Sequence, residues 1–326
     1  MKEKIILCGK HGRPSTKLAW SSTSSNSILV HKRELRNKPK YYRMFNNQEA
    51  LKNDIESETK RLYQERQNDL TLENSVVIRW GSRENLAINN NSIVYNKCNA
   101  LDNSNNKYQS RLIFKEKNVN TPLNITRDNY NVATYPIIAR PYNHSKGSNF
   151  ITLNTEDQFL DHYNTNSNTW YYSSFINKIR EFRVHAAHGK CLVLMEKHNP
   201  NNGNIAWNRA QNDSEPFTRI TQEQMDSENL KEVIIQGLAA IKALDLDFGG
   251  VDVMLDIHGN VYVLEVNTAP TLNSSSYVAE RWGMYWDWLF NSETRREHWD
   301  YTQFQKASSL VWKIFQLKDE PISNNF

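Results

Sequence analysis

The sequence is poor in cysteine and has no long apolar run. Its three cysteines, Cys8, Cys98 and Cys191, are odd in number and widely separated, with no C-x-x-C spacing. That excludes a disulfide framework and a zinc knot, and it fits a reducing, cytoplasmic setting. No stretch approaches the roughly 18 to 20 uncharged apolar residues of a membrane helix, and the opening apolar run, Ile5 to Cys8, is too short for a signal peptide. A cytoplasmic chain with no membrane partner is expected. Charge of one sign is lacking too: 40 Lys+Arg stand against 36 Asp+Glu, with no run of five or six like charges. The dense basic stripe of a dedicated nucleic-acid binder is therefore missing. Gly9-Lys10-His11-Gly12 is not the G-x-x-x-x-G-K-[ST] phosphate loop and reads as a plain turn.

What the chain does have is aromatic bulk. Only 38% of residues are hydrophobic, yet nine Trp, fifteen Tyr and twelve Phe supply large side chains for a core. A length of 326 residues predicts two or three domains.

Lys4 to Cys8 and Ser75 to Trp80 read as short buried strands, with a solvated helix between them over Asn47 to Asn68 and a polar loop at Ser21 to Asn26. That alternation predicts a small α/β domain. A helix capped by Asn103 or Ser104 is expected to run to Lys117, with Tyr108, Leu112 and Ile113 on its apolar face and Asn120-Thr121-Pro122 stopping it. Tyr135 to Arg140 and Phe150 to Leu153 follow as strands around a polar loop, then Trp170 to Ile176 as a strand leading into the charged segment Asn177 to Arg183. Val184 to Met195 reads as a hairpin turning at His188-Gly189. Thr221 and Gln224 form a capping box ahead of one long helix that carries Leu230, Val233, Ile234, Leu238, Ile241 and Leu244.

The most informative segment runs from Gly249 to Asn267 and reads as strand, tight turn, strand. A two-residue loop at His258-Gly259 sets Asp252 opposite Glu265; one at Gly259-Asn260 sets it opposite Asn267. Side chains alternate with period two, so both registers put Asp252, Glu265 and Asn267 on one face. Two carboxylates and an amide oxygen are hard ligands that suit Mg²⁺. Asp256 lies four residues from Asp252, roughly 13 Å by strand rise, and is assigned to the turn. The plain alternative is a hairpin whose acidic face is merely solvated. The polar loop Thr268 to Ser276 is placed to hold an acyl substrate with backbone N–H groups and hydroxyls.

Val251-Asp252-Val253-Met254-Leu255-Asp256 together with Leu264-Glu265-Val266-Asn267-Thr268-Ala269-Pro270 resembles the metal-binding end of ATP-grasp carboxylate–amine ligases, of the D-alanine:D-alanine ligase and ribosomal-protein glutamate ligase kind. The similarity extends upstream to about Asn103. It implies an α/β (α+β) ATP-grasp fold in three parts: residues 1–106 as an N-terminal α/β domain, 107–178 as a lid, and 179–326 as a catalytic subdomain with a C-terminal helical tail. It also implies ATP and one or two Mg²⁺, with Mn²⁺ able to substitute, held by Asp252, Glu265 and Asn267. Lys107 and Arg140 resemble the family's two phosphate-contacting lysines, and Ser145-Lys146-Gly147-Ser148 its closing loop. Ser173 to Lys178, including Ser174, Phe175 and Ile176, resembles the adenine-binding hinge, and Arg183 a phosphate-neutralising arginine. Arg140 and Arg183 take the catalytic roles.

The implied reaction joins a carboxylate to an amine through an acyl phosphate, with the acid or amine belonging to an amino acid, a small molecule, a peptide or a modified nucleic acid. Gly250 stands where D-alanine ligases place an arginine, and Thr271 replaces the glycine after Pro270, which argues against D-alanine as substrate. A hydroxyl kinase and a non-catalytic ATP- or nucleic-acid-binding module are the alternatives. His185 reads as a strand histidine, His188 as a turn residue and Trp282 to Phe290 as helix core, with an aromatic platform for a base or sugar the sharper alternative for that last segment.

Overall fold

A computed structural model of the chain describes residues 3–8, 28–31, 41–43, 75–83, 92–142, 150–197, 217–228, 230–272 and 276–291. The helix expected over Asn47 to Asn68, the loop at Ser21 to Asn26 and the turn at Gly9 to Gly12 lie outside them. The chain divides into two compact units. Among the described residues, one comprises those within 1–102, 245–249 and 267–291, and the other those within 103–244 and 250–266.

The first unit is built on a five-stranded sheet of β1 (Glu3–Cys8), β2 (Ile28–His31), β3 (Tyr41–Arg43), β4 (Ser75–Trp80) and β5 (Ile93–Tyr95), in the order β3-β2-β1-β4-β5. All pairs are parallel except β2 with β3. The interior strand β4, Ser-Val-Val-Ile-Arg-Trp, is buried along its whole length, as a strand covered on both faces must be. Trp80 at its end meets Trp282 at 4.8 Å and Trp286 at 5.1 Å between ring centroids, both from the helix Ser276–Asn291. The aromatic-rich segment is therefore helix core, as its composition suggests. Asn96, in the left-handed region at φ 58°, accepts from the backbone N–H groups of Asp247 and Phe248 and donates to the Phe248 carbonyl.

The second unit starts within the last turn of α1 (Cys98–Asn105) and continues with α2 (Lys107–Glu116). The single helix expected from Asn103 to Lys117 is thus two. Asn106 breaks it and caps the second, its side chain accepting from the Gln109 N–H at 3.1 Å. The expected apolar face fails as well: Ser110, Arg111 and Phe114 are buried, while Leu112 is 40% exposed. Termination comes earlier than Asn120-Thr121-Pro122, at Asn118, which takes the left-handed conformation with φ 57°.

A four-stranded sheet follows, ordered β6-β9-β7-β8, of β6 (Asn124–Ile125), β7 (Ile137–Pro141), β8 (Ile151–Leu153) and β9 (Trp170–Ser174). The helix α3 (Glu156–Asn166), capped by Thr155, packs Phe159 into its core beside Ile137, Ala139, Leu153 and Tyr172.

The second sheet, ordered β12-β11-β10-β13-β14, contains β10 (Lys178–Ala187), β11 (Lys190–Lys197), β12 (Phe217–Arg219), β13 (Phe248–Asp256) and β14 (Val261–Asn267). The charged segment Asn177 to Arg183 is thus mostly strand, and its charges point at partners within the fold. The hairpin does turn at His188-Gly189, both with positive φ. The capping box of Thr221 and Gln224 is present, but it serves a short helix, α4 (Gln222–Ser227). The apolar periodicity belongs to a separate helix, α5 (Lys231–Ala243), so the long helix expected there is two.

Helix α5 presses on β10 through Gly237, where an added Cβ would come within 2.9 Å of Val184 side-chain atoms. Val184 is branched at that point and fully buried, so it cannot swing aside. Gly237→Ala should lower stability by roughly 1 to 3 kcal/mol in a denaturant titration through overpacking, and a second change, Val184→Ala, should recover only part of that loss because the Cβ of residue 184 stays in contact.

Candidate functional site

The carboxylate hairpin closes differently from either predicted register. The Gly259 N–H donates to Asp256 O at 3.1 Å and the Asp256 N–H to Asn260 O at 3.0 Å, with Gly259 at φ 82°. Ile257, His258 and Gly259 therefore form a three-residue loop whose last position is left-handed, which needs glycine. Asp256 is a turn residue as expected: its carboxylate accepts from the N–H groups of His258 and Asn260 and from the Asn260 side chain. Along β14 the alternation of burial breaks at Leu264 and Glu265, both half-buried between buried Val263 and Val266. Glu265 lies close enough to Asp252 to shift its carboxyl, so the two carboxylates share surroundings although the turn is longer than read.

Each carboxylate is held by a cation from another element. Arg183 of β10 grips Asp252 of β13 with two bonds, Nε to Oδ1 at 2.7 Å and Nη2 to Oδ2 at 2.8 Å, both residues being buried. Its guanidinium also stands over the Phe217 ring, 4.6 Å from the centroid. Burial, with the charges of Glu265 and Glu181, pushes the Asp252 carboxyl up against the pull of Arg183. Lys107, at the start of α2, forms an ion pair with Glu265. The register of that contact is fixed by the segment after α2: the Val263 N–H donates to Asn120 O at 2.7 Å, and the Thr121 hydroxyl to Val263 O at 2.9 Å.

A second cluster adjoins. Glu181, two residues before Arg183, takes Lys178 on one carboxylate oxygen and Lys197 on the other, the latter at 2.8 Å. Burial pushes the Glu181 carboxyl up, but the two ammonium groups and their hydrogen bonds outweigh it and hold it below the ordinary range. Burial, together with Lys197 and Arg140, lowers Lys178. Arg140 is directly opposite Tyr171 in the β7–β9 pairing, and Arg111, one helical turn past Lys107, lies with its guanidinium over the Tyr171 ring at 5.4 Å. Burial of Arg111 and the Arg140 charge both lower its pKa. Lys107, Arg111, Arg140, Lys178, Arg183 and Lys197 thus outnumber Glu181, Asp252 and Glu265 in a connected neighbourhood of the second unit. Such an arrangement favours an anionic ligand.

Of the other residues read from the sequence, Ser174 is bonded to Leu123, its hydroxyl accepting from the Leu123 N–H at 3.0 Å. Phe175 and Ile176 are half-buried in the connection to β10, where the Lys178 N–H donates to Ile176 O. Lys146 and its loop, 143–149, lie outside the described residues, as do 273–275 of the loop after Pro270. Asn267 ends β14, two residues past Glu265. Buried His185 has its imidazole pushed down to about 3 by desolvation and by Arg183, so it is a neutral strand residue. Arg111 and Lys197 went unread in the sequence. The one local signal for Arg111 was its spacing of four from Lys107.

Among the described residues, no group of three or more His, Cys, Asp or Glu is arranged to hold a metal, and no helix is long and apolar enough to cross a membrane. The donors Asp252 and Glu265 are hard oxygens on neighbouring carboxylates, so this pair fits Mg²⁺.

No protein-family model and no curated protein matches the chain. Solved structures do. VanG D-Ala:D-Ser ligase from Enterococcus faecalis superposes with a TM-score of 0.52 at 13% identity over 88% of this chain and 100% of that one. D-alanine–D-alanine ligase from Bacillus anthracis, complexed with ATP, gives 0.51 at 14% identity, with 89% and 94% covered. The ATP-grasp ligase PsnB, complexed with a phosphomimetic variant of its minimal precursor, Mg and ADP, gives 0.54 at 13% identity, with 89% and 97% covered. The chain has the ATP-grasp fold.

Because Glu181 has a depressed folded pKa, its contribution to stability is fully present above its unfolded value of about 4.3 and is lost as pH falls through the lower folded one. Glu181→Gln should cost roughly 3 to 5 kcal/mol at neutral pH, since Lys178 and Lys197 would be left facing each other in a buried site. It should also flatten the acid limb of stability, read from denaturant midpoints between pH 7 and pH 3.

Proposed function

We propose that this chain is an ATP-dependent ligase that joins a carboxylate to an amine and releases ADP and phosphate. The carrying observation is the doubly paired hairpin: Asp252 held by Arg183 and Glu265 by Lys107, within a cation-rich cluster on an ATP-grasp fold. A solvated acidic face would not recruit one buried guanidinium and one half-buried ammonium from two other elements.

Residues 107–178 act as the lid and 179–326 as the catalytic part, with 1–106 an N-terminal domain. Asp252, Glu265 and Asn267 would hold one or two Mg²⁺, or Mn²⁺ in its place. Bound metal shields the phosphate charge and polarises the γ-phosphorus. Lys107, Arg140, Lys146 and Arg183 neutralise the triphosphate, and Ser174, Phe175, Ile176 and Lys178 line the adenine. With those groups oriented, an oxygen of the substrate carboxylate attacks the γ-phosphorus and the bond to the bridging oxygen breaks, giving an acyl phosphate and ADP. The amine then adds at the acyl carbon, phosphate leaves, and the nitrogen loses a proton. Positioning and charge stabilisation carry both steps, so no protein nucleophile is needed. One of the joined substrates is an amino acid, a peptide, a small molecule or a modified nucleic acid, and the three widely separated cysteines agree with work in the cytoplasm.

With a panel of acids and amines, turnover should yield ADP and inorganic phosphate. Acid without amine should give a hydroxamate when hydroxylamine is added, whereas AMP as product, or a stable phosphorylated alcohol, would overturn the reading. Glu265→Gln should abolish that turnover at saturating Mg²⁺ while circular dichroism stays unchanged, because the substitution removes a ligand charge at nearly constant volume.

Arg140→Ala should bind ATP roughly 10 to 100 times more weakly, and Arg140→Lys should keep part of the affinity, as expected for a charge-assisted phosphate contact. Calorimetric titration with ATP checks both; equal affinity in the alanine variant would place Arg140 outside the pocket.

A further inference from the structure

Arg111 is the odd member of the cationic cluster. Its side chain is only 5% exposed, yet Nε and Nη1 are buried with no hydrogen-bond partner. A guanidinium carries five N–H donors in a rigid fork, and burying it without acceptors costs more than almost any other side-chain placement. The Tyr171 ring beneath it offsets a little of that through a cation–π contact. The charged groups near enough to shift it are Arg140, which repels it, and Glu265, which is already paired with Lys107. Among the described residues, this buried cation stands beside a second cation and no carboxylate is hydrogen-bonded to its Nε or Nη1.

We infer that Arg111 binds the phosphate chain of the nucleotide, completing its unmet donors with ligand oxygens. The inference rests on the ATP-dependent reading above and deepens it, since the resemblance assigned Arg111 no role. Two placements support it. Arg111 follows Lys107 by one helical turn on α2, so both basic groups rise from the same side of the helix. Tyr171, its ring partner, is directly opposite Arg140 across β7 and β9, which puts the second basic residue on the same face of that sheet. Arg111 is thus within electrostatic reach of both Arg140 and the Glu265 metal candidate. An oxyanion there meets both guanidinium groups at once, and a planar fork suits the oxygens of a phosphate chain.

The test uses the full chain with Mg²⁺ and compares wild type, Arg111→Met and Arg111→Lys by calorimetric titration with ATP and ADP, and by the melting temperature without nucleotide. Arg111→Met should weaken both nucleotides by about tenfold to a hundredfold, and Arg111→Lys by less. The ligand-free melting temperature of Arg111→Met should be no lower than wild type, because a buried donor without acceptors contributes nothing to folding. Undiminished nucleotide affinity in Arg111→Met, with wild type binding normally, overturns the inference and leaves the ligase reading standing. A fall in the ligand-free melting temperature also overturns it, since Arg111 would then be holding the fold. Wild type that binds neither ATP nor ADP removes the ligase reading and this inference together.

Discussion

The buried fork between Arg183 and Asp252 organises the rest of the candidate site. Neither charge could be kept in that interior alone, because desolvation of either ion costs several kcal/mol. Together they join neighbouring strands, β10 and β13, by side chains as well as backbone. The fork also fixes where the other charges go. Glu181 lies two residues from Arg183 on the same strand face, and that brings Lys178 and Lys197 in from the ends of β10 and β11. Replacing a buried ion pair with well-packed apolar residues is often neutral or stabilising, so folding by itself gives no reason for this concentration of charge. A charged ligand does.

The parts of this arrangement that were legible in the sequence are those set by short-range periodicity. Asp252 and Glu265 could be read as neighbours because the two acids fall in a recognisable interval on adjoining strands. Trp282 to Phe290 could be read as core because apolar bulk at helical spacing has few other uses. The hairpin turn was misjudged by one residue, since Ile257-His258-Gly259-Asn260 supports two-residue and three-residue loops equally well, and the choice depends on the bond from Asp256 N to Asn260 O. The burial alternation of β14 changes at Leu264 and Glu265, and Glu265 still lies near enough to Asp252 to shift its carboxyl.

What stayed hidden is what depends on distant partners. In Asn103-Ser104-Asn105-Asn106 every residue is a good helix cap, so local preference could not say which would break the helix; packing selected Asn106. The same break turns Arg111 inward and leaves Leu112 outside, the reverse of what hydrophobicity suggests. Glu181 and Lys197 are separated by 16 residues and meet through strand pairing alone. Asn96 and Phe248 are 152 residues apart, and their clasp in the first unit has no counterpart in any local motif. Polar residues placed where apolar ones would fold more readily are common at functional sites, and Arg111 is that kind of exception.

The ligand-free chain also answers a problem that a nucleotide site poses. Basic groups meant for phosphate repel one another before phosphate arrives, and carboxylates meant for a metal repel one another before metal arrives. Here the two sets hold each other: Lys107 on Glu265, Arg183 on Asp252, Lys178 and Lys197 on Glu181. Under the proposed function, MgATP would bring both opposite charges at once, metal to Asp252 and Glu265 and phosphate to Arg183 and Lys107, so these two internal pairs would be replaced by ligand pairs of the same sense. The change in net electrostatic energy is then far smaller than that of charging an empty pocket, and the side chains are already oriented by their present partners. Arg111 lacks an internal hydrogen-bond partner of this kind, so its interaction is the one that ligand binding adds outright.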